Sequence, residues 1–236
     1  MEFTVDTLLR GRVTLLQPTD GLRTSLDPIF LSAFVVPPFG RFLDVGCGTG
    51  ALSFLLLARD PAATGVGVEI QPALAALADA GRARNDIETR LTIVADDVRA
   101  APLPPASFDL IATNPPFFRV ADGNVSPIAA RALASHEVAL ALDEWVAVAA
   151  RAVRSGGRVA AIFPAERADE LLVTFRAWGL SPARTRFVHP RVERPAGRVL
   201  VEAVRGASTL KYEPPLVVHD DGGGFTPEVR WLLGEP

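Results

Sequence analysis

From residue 41 onward the chain repeats one unit: a short apolar run, a turn rich in glycine or polar residues, then a segment of helical character. Residues 42–45 read as the first strand and 51–58 as its helix, and 64–69 as the second strand with a helix over 72–84. Residues 90–94 and 108–112 are strands three and four. A helix over 143–154 is ended by Gly156-Gly157, and 158–163 is strand five. Strands alternating with helices over short links predict a mostly parallel, doubly wound sheet. After a helix over 166–178 the rhythm breaks. Residues 183–189 and 198–204 are strands joined by 190–197, too short for a parallel crossover, so this pair is predicted to be antiparallel. The expected fold class is α/β, a doubly wound seven-stranded sheet, mostly parallel with one antiparallel strand.

Ahead of the sheet, residues 3–16 alternate loosely around Arg10-Gly11-Arg12 and predict a hairpin. Pro28 suits the first turn of a helix capped by Asp27, running to about Val36 and stopped by Pro37-Pro38. The expected organisation is a lid segment over 1–38, the main domain over 39–205, and a tail over 206–236 packed on it with a short helix near 226–233. A length of 236 residues allows one large α/β domain with a full core, or two small ones, and 49% hydrophobic with 22% charged residues is a globular composition. No apolar run approaches a membrane span, and Met1-Glu2-Phe3-Thr4 does not open a signal peptide. Cys47 is the only cysteine, which excludes a disulfide framework and points to the cytoplasm. His136, His189 and His219 are far apart, so no metal site is expected.

Two stretches carry chemistry. Leu43-Asp44-Val45-Gly46-Cys47-Gly48-Thr49-Gly50 runs from strand one into a glycine turn, where the backbone passes close beneath a ligand and is expected to point amides into the site. Glu69 ends strand two, where a carboxylate can accept both hydroxyls of an adenosine ribose. Gly46, Gly48 and Ala51 also fit the looser dinucleotide fingerprint, so the turn alone admits a nicotinamide-dependent reductase. Asp44 discriminates. Two residues before the first glycine, it faces a dinucleotide's phosphates unfavourably and suits the ammonium and sulfonium of S-adenosylmethionine. Asp97 after strand three can accept the adenine amino group, with Asp96 the competing candidate. Cys47 is expected to be a packing residue.

The second stretch is Asn114-Pro115-Pro116-Phe117. Two prolines cannot continue a strand ladder, so the chain leaves the sheet at Asn114, at the carboxyl edge where open α/β sheets bind ligands. The amide oxygen and a proline carbonyl can accept the two N–H bonds of a planar amino group while the ring of Phe117 stacks on its plane.

Together, Asp44–Gly50, Glu69 and Asn114–Phe117 resemble the seven-stranded, Rossmann-like S-adenosylmethionine-dependent methyltransferases that act on amino groups, a family whose sheet ends in an antiparallel seventh strand. A narrower similarity adds residues 20–27, Val188-His189-Pro190-Arg191, residues 198–202 and Phe225-Thr226-Pro227-Glu228. These resemble the bacterial family that methylates the N6-amino group of adenine-37 in valine tRNA. That family commonly has Tyr where this chain has Phe117; methylases of guanine in ribosomal RNA also use Phe there. This resemblance implies S-adenosylmethionine as cofactor, with Arg23, Asp27, Asp44, Gly46, Gly48, Gly50, Glu69 and Asp97 holding it. It implies a tRNA substrate, with Asn114, Pro115, Pro116 and Phe117 at the acceptor. A net charge of −3 gives no global attraction to RNA, so contact falls to local arginines: Arg119 and Arg131 on an expected lid loop over 118–136, and Arg191 and Arg194 in the densest basic stretch. The competing readings are methylation of guanine N2 in ribosomal RNA, methylation of a protein glutamine amide, and the reductase.

Overall fold

The structure is a computed structural model in which residues 2–20, 23–115 and 140–235 are described. Strands β1 (Phe3–Leu8) and β2 (Val13–Pro18) form a hairpin across Leu9 to Arg12, where Leu9, Arg10 and Gly11 all take positive φ. Helix α1 (Asp27–Phe34) follows. Its N-cap is Leu26, and no side chain caps it, so the expected cap at Asp27 is corrected: Asp27 lies inside the first turn and accepts a bond from Arg198 Nε at 3.2 Å.

The α/β repeat then runs β3 (Arg41–Val45), α2 (Ala51–Arg59), β4 (Thr64–Glu69), α3 (Pro72–Ala83), β5 (Leu91–Ala95) and β6 (Phe108–Thr113). It continues through α4 (Leu142–Ala152), β7 (Val153–Pro164), a 3-10 turn (Ala165–Arg167) and α5 (Ala168–Ala177). The last long strands are β8 (Ser181–His189) and β9 (Arg198–Val204). Two-residue strands β10 (Lys211–Tyr212) and β11 (Leu216–Val217) then pair with β8, and helix α6 (Pro227–Leu232) closes the fold with Thr226 as its cap.

Strand order is β10-β8-β9-β7-β6-β3-β4-β5. The expected antiparallel strand is β9, which lies between β7 and β8 and runs against both. Contrary to expectation, Gly156-Gly157 does not end a helix. Helix α4 stops at Ala152, and the two glycines sit inside β7. There Val153 pairs with Phe108 and Arg158 with Leu110, so the intervening residues bulge. A Cβ at Gly157 would lie 2.6 Å from Val153 Cγ2 and 3.0 Å from Arg154 O, which is why the bulge needs glycine.

Each face of the sheet is covered. On one face Phe30, Leu31 and Phe34 of α1 join Leu55 and Leu56 of α2 and Leu15 of β2, so the segment ahead of β3 shares the core. On the other, Trp145 of α4 meets Phe175 of α5 edge-on, with ring centroids 5.8 Å apart. Chain order reverses beside β3, whose neighbours are β4 and β6. That reversal opens a crevice at the carboxyl ends of these strands.

Candidate active site

A cleft of about 670 Å³ occupies this crevice. Its floor is the end of β3. Asp44 is 1% exposed, and its Oδ2 accepts the Ser53 amide at 3.1 Å and the Ser53 hydroxyl at 2.7 Å. Burial, only partly offset by these bonds, pushes the Asp44 carboxyl up to about 7, and the charge of Glu69 adds to the rise. The same burial, with Asp44 and Glu69 nearby, pushes the Cys47 thiol up, so it packs rather than reacts. Ser53 escaped the sequence reading. Its signal was a lone hydroxyl in the apolar helix Ala-Leu-Ser-Phe-Leu-Leu-Leu.

The glycine turn differs from expectation in one respect. Four of its amides are not offered to a ligand. Gly46 and Cys47 donate to Val68 O at 2.9 and 3.0 Å, Gly48 to Glu69 Oε2 at 2.9 Å, and Gly50 to Cys47 O at 2.9 Å. A pyrophosphate needs a nest of unengaged N–H groups, and this turn commits these four to its own neighbours. What it offers is space. Gly46 and Gly48 have positive φ, and a Cβ at either would meet nothing within 4 Å. Glu69 is buried at the end of β4, and its Oε1 also accepts the Gln71 amide at 2.9 Å.

Asp96 and Asp97 both line the cleft. Both Asp97 oxygens are bonded to Arg99, which holds that carboxyl below the usual range. Asp96 Oδ1 accepts the Asp97 amide at 2.7 Å, and its Oδ2 has no partner among the described residues. Arg23 and Asp27 reach the rim, but Arg23 is turned to Asp6 and Thr4 of β1.

At the end of β6, Thr113 Oγ1 donates to Val45 O at 2.8 Å and locks β6 to β3. The next residue, Asn114, lines the cleft, and its Oδ1 is shut off from solvent with no hydrogen-bond partner among the described residues. Buried polar atoms are almost always bonded, so this oxygen is left able to accept a hydrogen bond. Pro115 is buried beside it. Pro116, Phe117, Arg119 and Arg131 lie outside the described residues, as does the expected lid loop.

The basic stretch divides. Arg184 bonds Glu202, Glu213 and the Phe34 carbonyl, and Arg186 bonds Glu228 and the Pro214 carbonyl. These arginines hold the fold. Among the described residues, the Arg191 side chain makes one hydrogen bond, at 3.3 Å, to the Asp220 carbonyl. Arg194 is exposed, and its side chain has no partner among the described residues. It sits on the β8–β9 link with Val192, which is 74% exposed, and that link ends at Gly197 and Arg198 of the cleft wall. Among the described residues, no three His, Cys, Asp or Glu are grouped to hold a metal ion, and no helix is long and apolar enough to cross a membrane.

Comparison with known proteins adds to this geometry. Residues 26–165 match the family described as "Methyltransferase small domain". A tRNA1(Val) (adenine(37)-N6)-methyltransferase of Porphyromonas gingivalis strain W83 is 30% identical over 193 residues, covering 79% of this chain and 75% of that one. One of the same name from Aeromonas salmonicida is 30% identical over 210 residues, covering 87% and 86%. Among solved structures, a predicted O-methyltransferase from Agrobacterium tumefaciens superposes with a TM-score of 0.71 at 25% identity, covering 87% of this chain and 94% of that one.

Proposed function

Because this chain belongs to the methyltransferase small domain family, and within it to the tRNA1(Val) (adenine(37)-N6)-methyltransferases, we propose that it transfers a methyl group from S-adenosylmethionine to the N6-amino group of adenine-37 in valine tRNA. Asn114 carries this reading: a buried amide oxygen without a partner among the described residues, in the cleft that also holds Asp44 and Glu69.

The cleft fits the cofactor. Asp44 is a buried acid with no cation beside it among the described residues, and the turn above it is open at Gly46 and Gly48. Asp44 complements the ammonium group, Glu69 accepts from the ribose hydroxyls, and the Asp96–Asp97 pair faces the adenine edge, with Arg23 and Asp27 at the rim. S-adenosylmethionine supplies a methyl group on a positively charged sulfur, an electrophile ready for a nitrogen lone pair.

The protein's own part is positioning. The N6 lone pair of adenine is delocalised into the ring, which makes the amine a poor nucleophile. Asn114 Oδ1 accepts one N6–H and the Pro115 carbonyl the other, which favours a more tetrahedral nitrogen and aims its lone pair along the cleft. Alkylation makes the nitrogen acidic, so its proton leaves to solvent and no side chain has to act as a strong base. Phe117 stacks on the splayed base, a contact worth about 1–3 kcal/mol. Arg23, Thr24, Ser25, Asp27 and Pro28 wall one side of the cleft. Arg194 and Arg191 on the β8–β9 link meet RNA phosphates, with Arg119 and Arg131 further contributors.

The test is transfer of labelled methyl to unmodified tRNA followed by nucleoside analysis. Label in N6-methyladenosine is expected. Label in guanosine, or only in a protein glutamine, would overturn the substrate assignment.

A further inference from the structure

Arg99 stands outside every role assigned above, yet it joins two parts of the site. Its Nε lies 3.0 Å from both Asp97 oxygens, its Nη2 bonds Oδ2, and its amide donates to Oδ1 at 2.9 Å. The remaining arm, Nη1, reaches Glu144 Oε1 at 2.8 Å, 45 residues along the chain in the first turn of α4. Glu144 is occupied at its other end, where Oε2 accepts the Ala141 amide at 2.9 Å. An unbroken path of bonds therefore runs from Asp97, through one guanidinium and one carboxylate, to the backbone where the chain enters α4. Asp97 lines the cleft at one end of this path, and at the other Leu140, next to Ala141 in the chain, is also a lining residue. Among the described residues, no other side-chain hydrogen bond joins the turn at 96–99 to α4.

We propose that Arg99 is a positioning residue that couples occupancy of the cofactor pocket to the placement of Leu140 and the first turn of α4. This rests on the S-adenosylmethionine reading of the cleft. The physical argument is the shape of guanidinium. Its planar fork grips one carboxylate with two donors while a third points away, so moving Asp97 rotates the arm that holds Glu144. A ligand at the Asp96–Asp97 edge alters the acceptor load on Asp97 and, through Arg99, the hold on Ala141. Lysine offers one point charge and cannot keep both grips in that geometry.

Hydrogen exchange of the peptide spanning 140–146, with and without S-adenosylhomocysteine, reads this coupling without any turnover. In the wild type, protection of this peptide should change on binding. In Arg99→Lys and Glu144→Gln it should respond little or not at all, with a retained melting transition showing that each variant is folded. With cofactor saturating, kcat/KM for tRNA should fall about tenfold in each single variant, and the double variant should lose no more than either alone. A wild-type exchange response in Arg99→Lys, or single losses that simply add, would overturn the proposal. A wild type that methylates no tRNA would remove the proposed substrate, and the exchange comparison would then decide Arg99 alone.

Discussion

Asp44 and Ser53 form one unit at the floor of the cleft, the carboxylate oxygen Oδ2 accepting both the amide and the hydroxyl of Ser53. That unit stabilises a charge but leaves it without a counter-ion among the described residues, so burial dominates and the Asp44 carboxyl is raised from 3.8 to about 7. A cationic cofactor selects the ionised form. Affinity for S-adenosylmethionine should therefore fall as pH drops below about 7, by up to about tenfold per unit. Asp44→Asn should bind weakly and with little of this slope. The sign for stability is opposite. The contribution of neutral Asp44 is fully present below about 3.8 and is lost as pH rises toward about 7. Free Asp44→Asn should thus melt at or above the wild-type temperature at pH 8. Calorimetric titrations across pH 5.5–8.5 and melting curves check both halves; a flat wild-type affinity would remove Asp44 from the cofactor site.

Glu69→Ala should weaken cofactor binding by about 1–3 kcal/mol, the cost of leaving ribose hydroxyls unpaired. Because Glu69 also accepts the Gly48 amide, the same change releases the glycine turn and should increase exchange at that amide. Unchanged affinity by titration calorimetry would remove Glu69 from the site.

Asn114→Ala should lower turnover by about two to three powers of ten while cofactor affinity holds. Its Oδ1 has no partner among the described residues, so the substitution deletes an unsatisfied buried atom and should not lower the melting temperature. A stable variant with near-normal turnover would show that the amide does not touch the acceptor. Phe117→Tyr should be mild and Phe117→Ala severe, since the face of the ring meets the base.

Arg194→Ala combined with Arg191→Ala should weaken tRNA binding and flatten its dependence on salt, by about 0.7–0.9 in the log–log slope for each phosphate no longer neutralised. Arg184→Ala should behave differently. It leaves Glu202, 5% exposed, with only Arg158 at 3.5 Å among the described residues, and should destabilise the fold by about 3 kcal/mol. Filter binding over a salt series and chemical denaturation separate the two effects. An unaltered salt slope in the double variant would place the RNA elsewhere.

Most elements could be read from local signals. Residues 64–69 form the predicted strand end to end, and the antiparallel pairing of 183–189 with 198–204 follows from the short link between them. The misreadings occur where local signals have two outcomes. Gly156-Gly157 serves a helix end or a strand bulge equally well, and pairing of β7 with β6 decides for the bulge. Asp27 before Pro28 suits a cap, but Arg198, 171 residues away, takes its carboxylate. Strands β10 and β11, of two residues each, have no periodicity to read and exist only because β8 presents an open edge.

By itself the sequence determined the parts whose cause is local. Glycine at 46, 48 and 50 allows a tight turn after β3, and two prolines after Asn114 require the chain to leave the sheet there. Tertiary structure decided what those parts face. It turned the glycine amides inward to Val68, Glu69 and Cys47, raised the Asp44 carboxyl by burying it against Ser53, and tied Asp97 through Arg99 to Glu144. It also separated arginines that bind the fold from Arg194, which does not. Hydrogen-bond partners and desolvation depend on which groups come within about 3 Å after folding. Spacing along the chain does not encode that distance.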